Sequence, residues 1–286
     1  MTPETPGSAA QQVVQQTEIP ASTTVAPTAT RHVPITSPTP TQPRCLNKGG
    51  RVELNEFTTS LLPDPLVYRI YLPPCYDEDE ELSYPVLYLI HGQTYSDTQW
   101  DRLGVPEAID RLVGSGEIPP FIVVMPRDRN WQEPTRDNFG LAVEQSLVPW
   151  VDEHYRTIPE REYRAIGGLS RGGAWAVHLG LSHPELFSAV GIHSGFVFHT
   201  DAGAVGEWLD SLPEMMVPRI YMDIADHDRP EIAESARWLE EMLTERYIPH
   251  EWHMFTGEHE EKYWQGHVED YLRWYSFEWG NEAKIK

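Results

Sequence analysis

The chain has 286 residues, 44 acidic against 22 basic, and a formal net charge of −22 at pH 7. That balance argues against a nucleic-acid partner, which needs basic patches to meet phosphate, and no run of 18 apolar residues is present to span a bilayer. The apolar fraction of 40% suffices for a sizeable core, so the chain reads as one large globular domain or two small ones.

Residues 1–44 hold no Phe, Trp or Tyr and are dense in Thr and Pro. Such a stretch buries too little apolar surface to offset its ordering entropy and is expected to be a disordered linker, as in enzymes tethered to a surface or a second module. No signal-peptide-like apolar segment follows Met1. The protein is therefore either cytosolic or an exported one, extracellular or held at the cell surface, whose leader lies outside this sequence. Order is expected from Cys45, with 45–286 as a single domain.

Arg51 to Phe57 alternates with period 2 and reads as a strand. Leu66 to Leu72 is a second strand, and Pro63-Asp64-Pro65 marks the turn of an antiparallel hairpin. Val86-Leu87-Tyr88-Leu89-Ile90 and Phe121 to Pro126 are continuous apolar runs, as expected of strands covered on both faces of a parallel sheet. Between them, 106–113 is helical. A polar loop with Trp131 follows, then a helix from Leu141 to Tyr155 that includes Pro149. Tyr163 to Gly168, Ala189 to His193, Arg219 to Ile224 and His250 to Phe255 complete the strands. Residues 174–181 and 231–246 are helical, and Trp264, Val268, Tyr271 and Tyr275 space as a closing helix. Strands alternating with helices from residue 85 onward give an α/β class: a mostly parallel sheet, helices on both faces, and the N-terminal hairpin antiparallel at one edge.

Ala165-Ile166-Gly167-Gly168-Leu169-Ser170-Arg171-Gly172-Gly173 runs from strand to helix with Ser170 at the apex. Gly168-x-Ser170-x-Gly172 fits a nucleophile elbow, where a Cβ at either flanking position would clash. A bare GxSxG is a weak signal, and the plainer alternative is a glycine-rich turn with an incidental serine. The chemistry also demands a base, an acid and an oxyanion hole at the carboxyl ends of neighbouring strands. Of twelve histidines, His259 lies in the loop between the last strand and the closing helix. His253 sits within a strand and His267 within a helix. His193, one strand past the serine, reads as a pocket wall. Asp226 and Asp228 share the loop after the Arg219 strand, and either would serve as the acid. For the oxyanion, the backbone N–H of Arg171 and that of Gln93, in the loop His91-Gly92-Gln93, are the candidate donors. His91 and Gly92 are expected to border the substrate. Trp100 and Trp131 stand in loops beyond strands, placed to stack on an acyl ring or a sugar.

The chain resembles the esterase-D-like family of α/β-hydrolases, which includes feruloyl esterases, enterochelin esterases, S-formylglutathione hydrolases and mycolyltransferases. Tyr84-Pro85-Val86-Leu87-Tyr88-Leu89-Ile90-His91-Gly92, Gly168-Leu169-Ser170-Arg171-Gly172-Gly173, Ser182-His183-Pro184-Glu185-Leu186-Phe187 and Gly257-Glu258-His259 with Trp264 carry the likeness, over roughly residues 50–276. The resemblance implies an α/β-hydrolase fold and the acid at Asp228, because the family's G-x-x-D pattern aligns with Ala225-Asp226-His227-Asp228. It further implies hydrolysis of a small or polysaccharide-linked ester, feruloyl-type in particular, without cofactor or metal. An acyltransferase of the mycolyltransferase type and a silent glycan-binding relative are the alternatives. Arg171 departs from the methionine or phenylalanine frequent in the family.

Cys45 and Cys75, the only cysteines, flank the hairpin just before its first strand and just after its second. The turn brings those ends together, so a disulfide is expected.

Overall fold

The structure, a computed structural model, describes residues 44–282. The linker expected over 1–44 lies outside the described residues save for Arg44. Strand β1 (Arg51–Phe57) pairs antiparallel with β2 (Leu66–Leu72), Arg51 opposite Leu72 and Phe57 opposite Leu66. Then come β3 (Val86–Ile90), α1 (Gln99–Arg102), α2 (Val105–Ser115), β4 (Ile122–Pro126) and α3 (Phe139–Ala142). α3 continues through a π turn at Val143–Leu147 into α4 (Val148–His154). β5 (Arg164–Leu169), α5 (Arg171–Ser182), β6 (Ala189–His193), α6 (Val205–Ser211), β7 (Arg219–His227), α7 (Pro230–Glu245), β8 (Glu251–Glu258), α8 (Glu261–Ser276) and α9 (Trp279–Glu282) follow.

The eight strands order as β1-β2-β4-β3-β5-β6-β7-β8. β2 meets β4 antiparallel, and every pair from β4 onward across the sheet is parallel. The continuous apolar runs are explained by β3. Val86, Tyr88 and Ile90 enter one core cluster with α4, α5 and α6, while Leu87 and Leu89 enter the other with α2 and α8. With side chains alternating across the pleat and both faces covered, every position must be apolar. The chain steps from β3 to β4 on one side and then to β5 on the other. The crevice of an open α/β sheet therefore opens at the carboxyl ends of β3 and β5.

Three local features differ from the sequence reading. The Leu141 to Tyr155 helix is not uniform: a wider π turn stands immediately ahead of Pro149, whose missing N–H deprives a preceding carbonyl of its partner. β7 runs on to His227, so Asp226 is still in the strand, with a register shift against β8 between Ala225 and His227. α6 was not legible, since only Val205 and Leu209 of its seven residues are buried.

Cys45 and Cys75 form a disulfide, their Cα atoms 5.0 Å apart, closing a separation of 30 residues around the hairpin. Reduction should lower the free energy of unfolding by about 3–4 kcal/mol in the chain-entropy account. Urea unfolding with and without reductant measures this; coincident midpoints would show that the bridge does not stabilise the fold.

Candidate active site

Ser170 stands between β5 and α5 with φ 53° and ψ −116°, a conformation that costs on the order of 1–3 kcal/mol for a residue with a Cβ. The surroundings enforce it. A Cβ on Gly168 would run into the Gly172 backbone, and one on Gly172 into the carbonyl of Ile90. With strand and helix this close, the apex residue is thrust outward. The Ser170 N–H donates to the His193 carbonyl at 2.9 Å, which fixes the turn against β6.

His259 lies in the two-residue link between β8 and α8. Its Nε2 is 2.9 Å from Ser170 Oγ and its Nδ1 2.7 Å from Asp228 Oδ1. A carboxylate only accepts, so Nδ1 carries the proton and Nε2 faces the serine hydroxyl as an acceptor. The indole of Trp264, one turn into α8, meets the imidazole edge-on at 5.0 Å. Asp228 follows β7 directly, and its side chain is fully buried. Burial alone would raise its pKa, but the hydrogen bond and charge of His259 outweigh it. The Ser194 hydroxyl and the Arg229 N–H add to this, and the carboxyl is held below its ordinary value. Asp226 is engaged elsewhere. Its Oδ1 takes His227 Nδ1 at 2.7 Å and the Gly257 N–H at 3.0 Å, tying β7 to the end of β8. His253 and His267 lie away from the serine, His253 beside Glu251 and His267 stacked on Phe255.

Opposite the elbow, the loop after β3 carries Gly92 and Gln93. The Gly92 N–H donates to Gln99 Oε1 at 2.8 Å. Arg171 is the first residue of α5, so its N–H has no intrahelical acceptor. Gly92, Gln93, Ser170 and His259 all border one cleft of about 1010 Å³. Tyr95, Phe196 and Trp238 give it an aromatic side, and Glu133, Arg229 and Glu260 a charged one.

Four of the expected substrate contacts are corrected. Trp100 is 1% exposed, and its indole N–H donates to the Ile90 carbonyl at 3.0 Å, so it packs beneath the loop. Trp131 is exposed but stands outside the cleft lining. His193 is wholly buried, with Nδ1 2.7 Å from Asp223 and Nε2 2.9 Å from the Tyr275 hydroxyl. His91 is buried too. Its Nε2 accepts the Asp128 N–H at 3.0 Å and its Nδ1 donates to the Gly92 carbonyl at 2.8 Å. Burial lowers its pKa and keeps it neutral, as that bonding requires. The Arg171 side chain also turns from the cleft, onto Asp128 and the Gln132 carbonyl. Sequence reasoning missed Tyr95, Phe196 and Trp238. Phe196 had a signal, three residues past the end of β6. Trp238 had none, since it lies off the Ile232, Ala236, Leu239, Leu243 stripe that α7 buries.

Residues 59–275 match the family described as "Putative esterase". An endo-1,4-beta-xylanase/feruloyl esterase of Xylanibacter ruminicola is 34% identical over 138 residues, 44% of this chain and 19% of that protein. The chain thus spans about a fifth of that relative's length. Among solved structures, a ferulic acid esterase superposes with a TM-score of 0.72 at 23% identity, over 80% of this chain and 99% of the other. A feruloyl esterase module from Clostridium thermocellum, complexed with sinapinate, gives 0.68 at 20% identity, over 82% and 92%. These likenesses agree on the α/β-hydrolase fold.

Proposed function

The chain belongs to the esterase family that its residues 59–275 match, and from that premise we propose that it is a serine carboxylic-ester hydrolase. It works through an acyl-enzyme, on feruloyl-type esters linked to carbohydrate. One observation carries this reading: Asp228, His259 and Ser170 are joined by hydrogen bonds of 2.7 and 2.9 Å beside an open cleft. His259 Nε2 takes the Ser170 proton as Oγ attacks the ester carbonyl. The negative charge that develops on the carbonyl oxygen is met by the Gln93 and Arg171 N–H groups. As the tetrahedral intermediate collapses, the C–O bond to the alcohol breaks and His259 returns the proton to the leaving oxygen. Water then attacks the acyl-serine with His259 again as base, releasing the acid and restoring Ser170. Asp228 holds the imidazole in one tautomer and faces its positive charge.

The substrate class rests on the feruloyl esterase named among the relatives and on the cleft. Tyr95, Phe196 and Trp238 offer rings to an aromatic acyl group or a sugar face, and the volume admits both. The disulfide suits an oxidising compartment, extracellular or at the cell surface. There residues 1–44 serve as the linker to a catalytic domain at 45–286.

A hydrolysis panel tests the reading, running from short p-nitrophenyl esters through methyl ferulate to a feruloylated oligosaccharide. Feruloyl esters should be turned over with release of the free acid, the oligosaccharide with the highest kcat/KM. Failure on every ester, with no labelling of Ser170 by a fluorophosphonate, would remove the proposal.

A further inference from the structure

We propose that Asp128, through its buried ion pair with Arg171, is the positioning device of the oxyanion hole, holding both donors in register from one residue: its carboxylate grips α5 and its backbone N–H anchors the loop after β3. The inference rests on the reading of Gln93 and Arg171 given above.

The two N–H groups come from separate loops, after β3 and after β5, and must converge on one oxygen. Asp128, two residues past β4, reaches both. Toward α5, Asp128 Oδ2 accepts Arg171 Nε at 2.7 Å and Trp175 Nε1 at 2.9 Å. Residues four apart share a helix face, so this carboxylate grips the first turn of α5, where the Arg171 N–H lies. The guanidinium also donates to the Gln132 carbonyl and lies 5.1 Å from the ring centre of Phe198.

Toward β3, the Asp128 N–H donates to His91 Nε2, and His91 Nδ1–H donates to the Gly92 carbonyl. That carbonyl also receives the Tyr95 N–H at 3.3 Å. The Gly92 carbonyl and the Gln93 N–H belong to one planar trans peptide and point in opposite directions. Anchoring the carbonyl therefore aims the N–H.

Stability alone does not account for the pair. The side chains of Arg171 and Asp128 are 4% and 1% exposed. Well-packed apolar residues commonly replace such a buried pair without loss of stability. What apolar packing cannot do is tie a helix start to a neighbouring loop through directed bonds.

The test uses the full chain, with Arg171→Met, Asp128→Asn and the double variant Arg171→Met/Asp128→Leu. Three quantities are read: steady-state kinetics on methyl ferulate, inhibition by an aryl trifluoromethyl ketone, and inhibition by ferulate. The ketone forms a hemiketal on Ser170 whose oxyanion needs the hole; ferulate binds without it. Each variant should lose about 10- to 100-fold in kcat, given that a lost oxyanion donor costs about 10²–10³. KM and ferulate inhibition should stay within about twofold, and ketone affinity should fall in step with kcat. Arg171→Met leaves a buried unpaired carboxylate and is the variant at risk of misfolding. The double variant removes both charges and should regain the melting temperature without regaining kcat. A folded variant with wild-type kcat and ketone affinity would overturn the proposal, as would a double variant that recovers both. Wild-type protein unlabelled by a fluorophosphonate at Ser170 would instead overturn the reading of the site itself.

Discussion

Ser170→Ala should abolish ester hydrolysis, with kcat falling by about 10⁶ and the fold intact. The alanine keeps the backbone and its Cβ, so the turn at φ 53° stays as it is and only Oγ is lost. Ser170 Oγ bonds to His259 Nε2, and the imidazole remains held by Asp228 through Nδ1. No buried polar group on the strand or helix is orphaned, so the melting temperature should move by no more than a few degrees. His259→Ala should cost as much in kcat, because serine and histidine act as one unit. Initial rates on methyl ferulate, with circular dichroism melts beside them, provide the measurement. A folded Ser170→Ala protein with a tenth of the wild-type rate would end the serine-hydrolase reading.

The elbow was legible because geometry left the sequence no freedom. Gly168 and Gly172 face backbone at distances that exclude any Cβ, so the motif reports the fold as much as the chemistry. The strands were legible for a related reason: a residue pinned between two helix layers must be apolar, which writes Val86 to Ile90 as an unbroken run. The tryptophans were not legible. Trp100 follows β3 in sequence, and Trp238 lies within α7, off the stripe that helix buries. Only the closeness of the Ile90 carbonyl buries one, and only the rotation of α7 turns the other to the cleft. His193 follows the same rule. A histidine at a strand end reads as a pocket wall until Asp223 and Tyr275 are seen to close around it. Asp226 and Asp228, equivalent in the loop as read from sequence, differ in space because β7 runs two residues past Ala225. That extension turns Asp226 toward Gly257 and delivers Asp228 to His259.

That difference sets the second large expectation. Asp228→Asn should lower kcat by about 10⁴ with little change in KM, while Asp226→Asn should cost far less. Asparagine fits the same space, and its amide can still meet His259 Nδ1. It can meet it as a donor, however, which stabilises the tautomer whose proton sits on Nε2, facing Ser170 and unable to accept from it. It also removes the negative charge that faces the imidazolium during turnover. The same change alters the response to acid. In the folded protein the Asp228 carboxyl is held below its ordinary value despite burial, chiefly by the His259 hydrogen bond and charge. The unfolded chain, near the ordinary value of about 3.9, takes up a proton more readily. The stabilisation is therefore fully present above that value and is lost as pH falls toward the folded one. Wild-type stability should decline on acidification below about pH 4 more steeply than that of Asp228→Asn. Urea unfolding at a series of pH values, run beside kcat for both asparagine variants, examines the two halves together. Equal kcat losses at 226 and 228, or a larger one at 226, would take the acid role away from Asp228.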